Sequence, residues 1–183
     1  MERKDFLIGA VVAIPAFIQQ RTSDESTTSN TEVFIVDNGK SRFGENVKFL
    51  GLHPNQLKIS SKDTGGQLSV FEYQGLGKVG PALHIHFEQD EIFMVRKGTY
   101  RFVVGNEMHV LTAGQTIFLP RNIPHTWIQL SEKGEMIYFL QPAGKMEEFF
   151  SLMNAMKERP SDQEINRIHE AHGMKVVGPP LTL

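Results

Sequence analysis

Between Val47 and Leu140 the hydrophobic positions fall in short runs, broken at close intervals by Gly, Pro and Asn. Val47–Leu52, Gln56–Ser60, Leu68–Tyr73, Leu83–Phe87 and Glu91–Arg96 are rich in β-branched or aromatic residues. So are Tyr100–Val104, Met108–Leu111, Thr116–Leu119, Thr126–Leu130 and Met136–Leu140. Runs of this length predict strands, and the break at Gly105, Asn106 and Glu107 predicts a hairpin turn. About ten such strands at close spacing point to an all-β sandwich or barrel.

The period changes after residue 143. Met146, Phe149, Phe150, Met153 and Met156 recur at helical spacing until Pro160. Ser161 and Glu164 form a capping-box pair that opens a second helix, which Gly173 closes. The run "MKVVGPPL" then reads as a short extended segment. The Met and Phe stripe is expected to pack on the strands rather than to hold a cofactor.

The other end of the chain is organised differently. Arg3 and Lys4 precede an apolar run from Phe6 to Ile18, interrupted by Gly9 and Pro15. That run is too short to span a bilayer as a helix but suits the apolar core of a signal. "RKDFL" resembles a twin-arginine export signal, with Lys4 where the second arginine stands. Export to the periplasm is expected if this is a signal, and a cytoplasmic location otherwise. Arg21–Glu32 is polar, rich in Ser and Thr, and reads as a linker. Three parts follow: residues 1–32 as signal-like segment and linker, 33–143 as the barrel, and 144–183 as helices and tail packed on it.

Composition narrows the chemistry. The 183 residues are 40% hydrophobic and 22% charged, as in a globular protein. The net charge of −2 gives no broad basic footprint for nucleic acid, and no stable membrane span is expected. Cysteine is absent, so any metal must be held by nitrogen and oxygen.

Such a set stands in "HIHFEQDEIFMVRKG", residues 84–98. Strand side chains alternate faces, so His84 and His86 point the same way. If the strand starting near Glu91 is the antiparallel neighbour, Glu91 lies beside them and three ligands converge. A fourth must come from farther along the chain. Ordinary polar residues facing solvent are the alternative, but Ile92, Phe93, Met94 and Val95 read as a run buried on both faces. His53, before Pro54, together with His109, His169 and His172, reads as solvated.

This stretch resembles the first motif of the cupin superfamily: His-x-His, a short gap, Glu, six residues, then Gly, matched by His84, His86, Glu91 and Gly98. "GQTIFLPRNIPHTWIQ" resembles the second motif from Gly114 through Pro120 to His125. Asn122 stands where that motif has glycine, and Asn tolerates the left-handed backbone a turn there requires. Gln129 stands in place of the motif's asparagine. The resemblance covers roughly residues 45–142. It implies a cupin double-stranded β-helix, or jelly-roll barrel, with a C-terminal helical extension. It also implies one divalent transition metal (Fe, Mn, Ni, Cu or Zn) on His84, His86, Glu91 and His125. If His125 points inward, alternation brings Trp127 and Gln129 inward, and from Glu91 likewise Phe93 and Val95. These four are the expected substrate pocket, suited to a flat aromatic or modestly polar small molecule rather than a phosphate or a highly charged sugar.

The helical tail and the closing "GMKVVGPPL" look like those of bacterial quercetin 2,3-dioxygenase-like cupins. That resemblance implies a metal-dependent dioxygenase acting on a small aromatic or enol substrate, with Glu91 as a ligand able to take the substrate's hydroxyl proton. The alternative is a non-catalytic cupin that binds a small molecule, a sugar or a signal. No Lys, His and Tyr set beyond the ligands points to an isomerase. Cupins commonly pair through barrel edges, so a homodimer is expected.

Overall fold

A computed structural model describes residues 30–158 and 160–183. The expected signal, and the linker before Asn30, lie outside the described residues. Eleven strands and two helices follow one another. They are β1 (Lys48–Phe49), β2 (His53–Ile59), β3 (Ser69–Gly75), β4 (Ala82–His86), β5 (Asp90–Lys97) and β6 (Thr99–Val104). Then come β7 (Glu107–Thr112), β8 (Thr116–Leu119), β9 (His125–Gln129), β10 (Gly134–Gln141), α1 (Met146–Ala155), α2 (Asp162–Ala171) and β11 (Met174–Pro180).

The strands form a six-stranded sheet in the order β1-β2-β3-β10-β5-β8 and a five-stranded sheet in the order β11-β4-β9-β6-β7. Every pairing is antiparallel. From β4 onward the chain passes back and forth between the sheets, as in a jelly roll. One of these crossings, at Gly98, explains its residue type. Its φ is +87°, and a Cβ there would approach the Lys133 carbonyl oxygen to 2.8 Å.

Alternation decides what fills the interior. Phe93 and Val95 of β5, Tyr100 and Phe102 of β6, Trp127 of β9 and Met136, Tyr138 and Leu140 of β10 share one buried cluster. Phe93 stacks on Tyr138 with ring centroids 5.1 Å apart, and Trp127 meets Tyr73 edge-on at 5.1 Å. Contacts of this kind add to the burial of large rings. The outer face of β5 behaves otherwise than its sequence suggests. Ile92 is half-buried and Met94 is 41% exposed, so β5 is covered on one face only.

The expected first strand is also cut short. Leu50 and Gly51 both take positive φ, so the chain turns after Phe49 and re-enters the sheet at His53. His53 is therefore buried, contrary to the solvated reading. Its Nδ1 accepts the Leu76 N–H at 2.9 Å. His172 is buried too, and His169 partly so.

The helical extension closes over the barrel. Met146 and Phe149 of α1 join the core, with Phe150, Met153 and Met156 packed against it, as the stripe predicts. Glu147 accepts hydrogen bonds from the Ser60 and Ser69 hydroxyls at 2.8 and 2.6 Å, tying α1 to β3 and the loop before it. Ser161 caps α2 by accepting from the Glu164 N–H at 3.2 Å, but the Glu164 carboxylate turns to Arg167 instead of closing the box. The last segment is an edge strand, with Met174 opposite His86 and Val176 opposite His84. Among the described residues, no helix is long and apolar enough to cross a membrane.

Phe102 has no exposed surface and lies between Phe93 and Trp127. Its replacement by Ala should lower unfolding stability by about 3–5 kcal/mol, read as a shift of the urea midpoint at unchanged slope.

Candidate metal centre

Two sheets build the site. On β4 and β9, His84 and His125 face each other as direct cross-strand partners, and His86 follows one alternation later on β4. Glu91 arrives from the other sheet. It stands on β5 between Leu119 of β8 and Leu140 of β10. β4 and β5 are therefore not neighbours in one sheet, contrary to the expectation of adjacent pairing. The turn between them crosses the sandwich and brings the carboxylate to the histidines face to face.

The three imidazoles are close, with centroids 4.6 Å apart for His84 and His125, 5.1 Å for His84 and His86, and 5.5 Å for His86 and His125. Each is held through Nδ1. His84 Nδ1 lies 2.8 Å from the Ala82 carbonyl oxygen and His125 Nδ1 lies 2.9 Å from that of Ile123. His86 Nδ1 lies 3.3 Å from Gln89 Oε1. A carbonyl oxygen only accepts, so Nδ1 carries a proton in each ring, and Nε2 is the nitrogen left to face the centre of the cluster.

Two of these nitrogens face a carboxylate. His125 Nε2 is 3.0 Å from Glu91 Oε2, and His86 Nε2 is 3.8 Å from Glu91 Oε1. Despite the proximity, neither nitrogen makes a hydrogen bond, and both are buried. A buried carboxylate facing imidazole nitrogens without a hydrogen bond is a set that a cation would stabilise. One donor atom from each of His84, His86, Glu91 and His125 lies within 4.8 Å of every other, so the four could hold one metal ion. His84 as a residue keeps some surface open, while its ring belongs to the enclosed cluster.

The charge states agree with this reading. Burial lowers the His84 pKa from 6.5 to about 3, with help from His125 and His86 and against the pull of Glu91. Burial likewise lowers His86. Burial pushes Glu91 upward, yet His86 and His125 outweigh it and hold the carboxyl at about 2. Neutral His84 and His86 and an ionised Glu91 are forms that bind metal.

The expected pocket residues all face the interior. Phe93, Val95 and Trp127 are 3%, 1% and 6% exposed, and Gln129 is fully buried, donating from Nε2 to the Ser131 carbonyl at 2.8 Å. A surface groove of about 950 Å³ between β7 and β8 borders none of them. Two supporting elements escape a reading of the chain. Gln89 looks like a solvated turn residue in "FEQDE", and nothing local marks it as buried behind His86. Asp90 grips Arg121, with Oδ2 2.8 Å from Nη2, and so anchors the loop that supplies the Ile123 carbonyl. Asn122 in that loop has φ +65°, as its place in the second motif predicts.

Residues 70–140, which contain the whole cluster, match the family model described as Cupin domain. The match and the two-sheet jelly roll support the cupin superfamily. No curated protein matches the chain. Among solved structures, an RmlC-like cupin from Shewanella frigidimarina is similar at 16% identity and TM-score 0.47, over 59% of this chain and 93% of that one. KdgF from a Halomonas species is similar at 18% identity and TM-score 0.43, over 49% and 80%. A sugar phosphate isomerase from Silicibacter pomeroyi is similar at 18% identity and TM-score 0.41, over 48% and 59%.

Replacing His84 or His125 by Ala should abolish stoichiometric metal content, measured by elemental analysis of purified protein. Full content in both variants would exclude this ligand set. A second expectation concerns pH. Because folding lowers the His84 and His86 pKa values, the unfolded chain binds more protons below about 6.5. Stability of the metal-free protein should therefore fall as pH drops from about 6.5 toward 3, and depressed Glu91 adds to that loss below about 4.5. Urea midpoints at pH 7.5, 6 and 5 check the trend.

Proposed function

We propose that the chain is a metal-dependent dioxygenase of the quercetin 2,3-dioxygenase-like type, acting on a small aromatic or enol substrate. The supporting observation is the buried cluster of His84, His86, Glu91 and His125, in which the Nε2 atoms of His86 and His125 have no hydrogen-bond partner. Three imidazole nitrogens and one carboxylate, with no sulfur, suit Fe, Mn, Ni, Cu or Zn. When bound, any of these ions would supply Lewis-acid chemistry toward a substrate hydroxyl, and Fe, Mn, Ni or Cu could also supply redox chemistry toward O₂.

The chain's own residues divide the remaining work. Each histidine is committed at Nδ1 to an oxygen acceptor, and with Nε2 holding the ion none would be free to take a proton. Glu91 is the carboxylate of the set, and the substrate hydroxyl proton would pass to its oxygen. Phe93 and Trp127, the next inward positions after Glu91 and His125, would form an apolar floor that excludes water from the reacting face. Val95 and Gln129 lie one layer deeper. This floor favours a flat ring over a phosphate or a charged sugar.

The protein loaded in turn with Fe, Mn, Ni, Co or Cu should consume O₂ with a flavonol or a simple catechol in at least one metal form, followed with an oxygen electrode. Metal uptake without O₂ consumption in any form would overturn the dioxygenase reading. It would favour instead a non-catalytic cupin that binds a small molecule.

A further inference from the structure

Gln89 sits in the turn that carries the chain from β4 to β5, three residues after His86 and two before Glu91. It is 2% exposed. His84 and His125 are oriented by main-chain carbonyls, whereas His86 depends on this side chain. Its other surroundings come from far along the sequence. A Cβ on Gly144 would collide with the Gln89 amide nitrogen, and a Cβ on Gly173 would come within 4.0 Å of Gln89 Oε1.

Gly144 lies just before α1, and Gly173 just after α2. Both ends of the helical extension thus abut the one side chain that orients His86. The Gly173 carbonyl also accepts the Phe87 N–H at 3.0 Å, fixing the extension to the residue next to the ligand.

We propose that Gln89 is a positioning residue that couples docking of the C-terminal helices to metal binding through His86. The inference rests on the metal-binding reading above and adds a second set of residues to it. An acceptor opposite Nδ1 fixes the ring orientation and keeps the lone pair on Nε2, and loss of such a partner typically costs about 10–100-fold in metal affinity. Coupling is reciprocal, so bound metal must in turn hold the helices against the barrel.

The test uses the full-length chain and Co²⁺ alone as probe. Cobalt titrations, followed by the visible absorption of the bound ion, compare wild type with Gln89→Leu and Gln89→Glu. Gln89→Leu keeps the bulk but removes the acceptor, and Gln89→Glu retains an acceptor. A parallel arm measures trypsin cleavage at Lys157, an exposed residue between the helices, with and without cobalt.

In wild type, cobalt should slow cleavage. Gln89→Leu, with native circular dichroism, should raise the cobalt Kd by about 10–100-fold, alter the spectrum and lose the protection. Gln89→Glu should bind and protect as wild type does, which a merely space-filling role for Gln89 does not require. A folded Gln89→Leu protein with wild-type Kd and spectrum would overturn the inference while leaving the metal site standing. So would a folded Gln89→Glu protein that no longer binds, or wild-type binding with no effect on cleavage. No cobalt binding by wild type would overturn the metal reading itself, and this inference with it.

Discussion

Four electron-rich side chains share a space a few ångströms wide inside a barrel that otherwise holds aromatic and aliphatic groups. Burial denies them water. The barrel holds them together nonetheless, because each is fixed from behind. Main-chain carbonyls hold His84 and His125, Gln89 holds His86, and the flanking strands hold Glu91 in register between Leu119 and Leu140. The surrounding architecture serves this constraint. The sheets set the spacing, the crossing turns bring ligands from both sides, and a cation at the centre would stabilise the buried cluster.

Much of this was legible from the chain. Alternation placed His84 and His86 on one face, and motif spacing brought in His125 across a hairpin. Asn122 was expected to tolerate a left-handed turn and does so. The helical stripe from Met146 to Met156 was read as packing and packs. These features succeed because each is local, fixed by side-chain period or by the backbone limits of one residue.

The misreadings share a different cause. Glu91 was placed on a neighbouring strand, yet it comes from the opposite sheet, because whether a turn stays within a sheet or crosses depends on distant strands. β5 looked buried on both faces, yet Met94 is open, since an apolar run does not reveal which faces other elements cover. His53 looked solvated before Pro54, yet the turn at Leu50 and Gly51 draws it inward to the Leu76 N–H. Gln89 gave no sign at all. Its role depends on glycines at 144 and 173, more than fifty residues downstream. Sequence pattern records what a residue prefers, while these cases turn on which partner reaches it.

The pairing of β11 with β4 has a temporal side. Ligands His84 to His125 emerge early in synthesis, but the strand that borders the two β4 histidines spans Met174–Pro180. Until those residues have been made, β4 is an open edge, and Gln89 lacks the backbone at Gly173 beside it. Domains assemble as the chain supplies them, and contacts between distant residues form last. A ribosome-bound intermediate would therefore carry all the ligands without the frame that aims them. An ion arriving before β11 has paired would meet ligands that are not yet aimed.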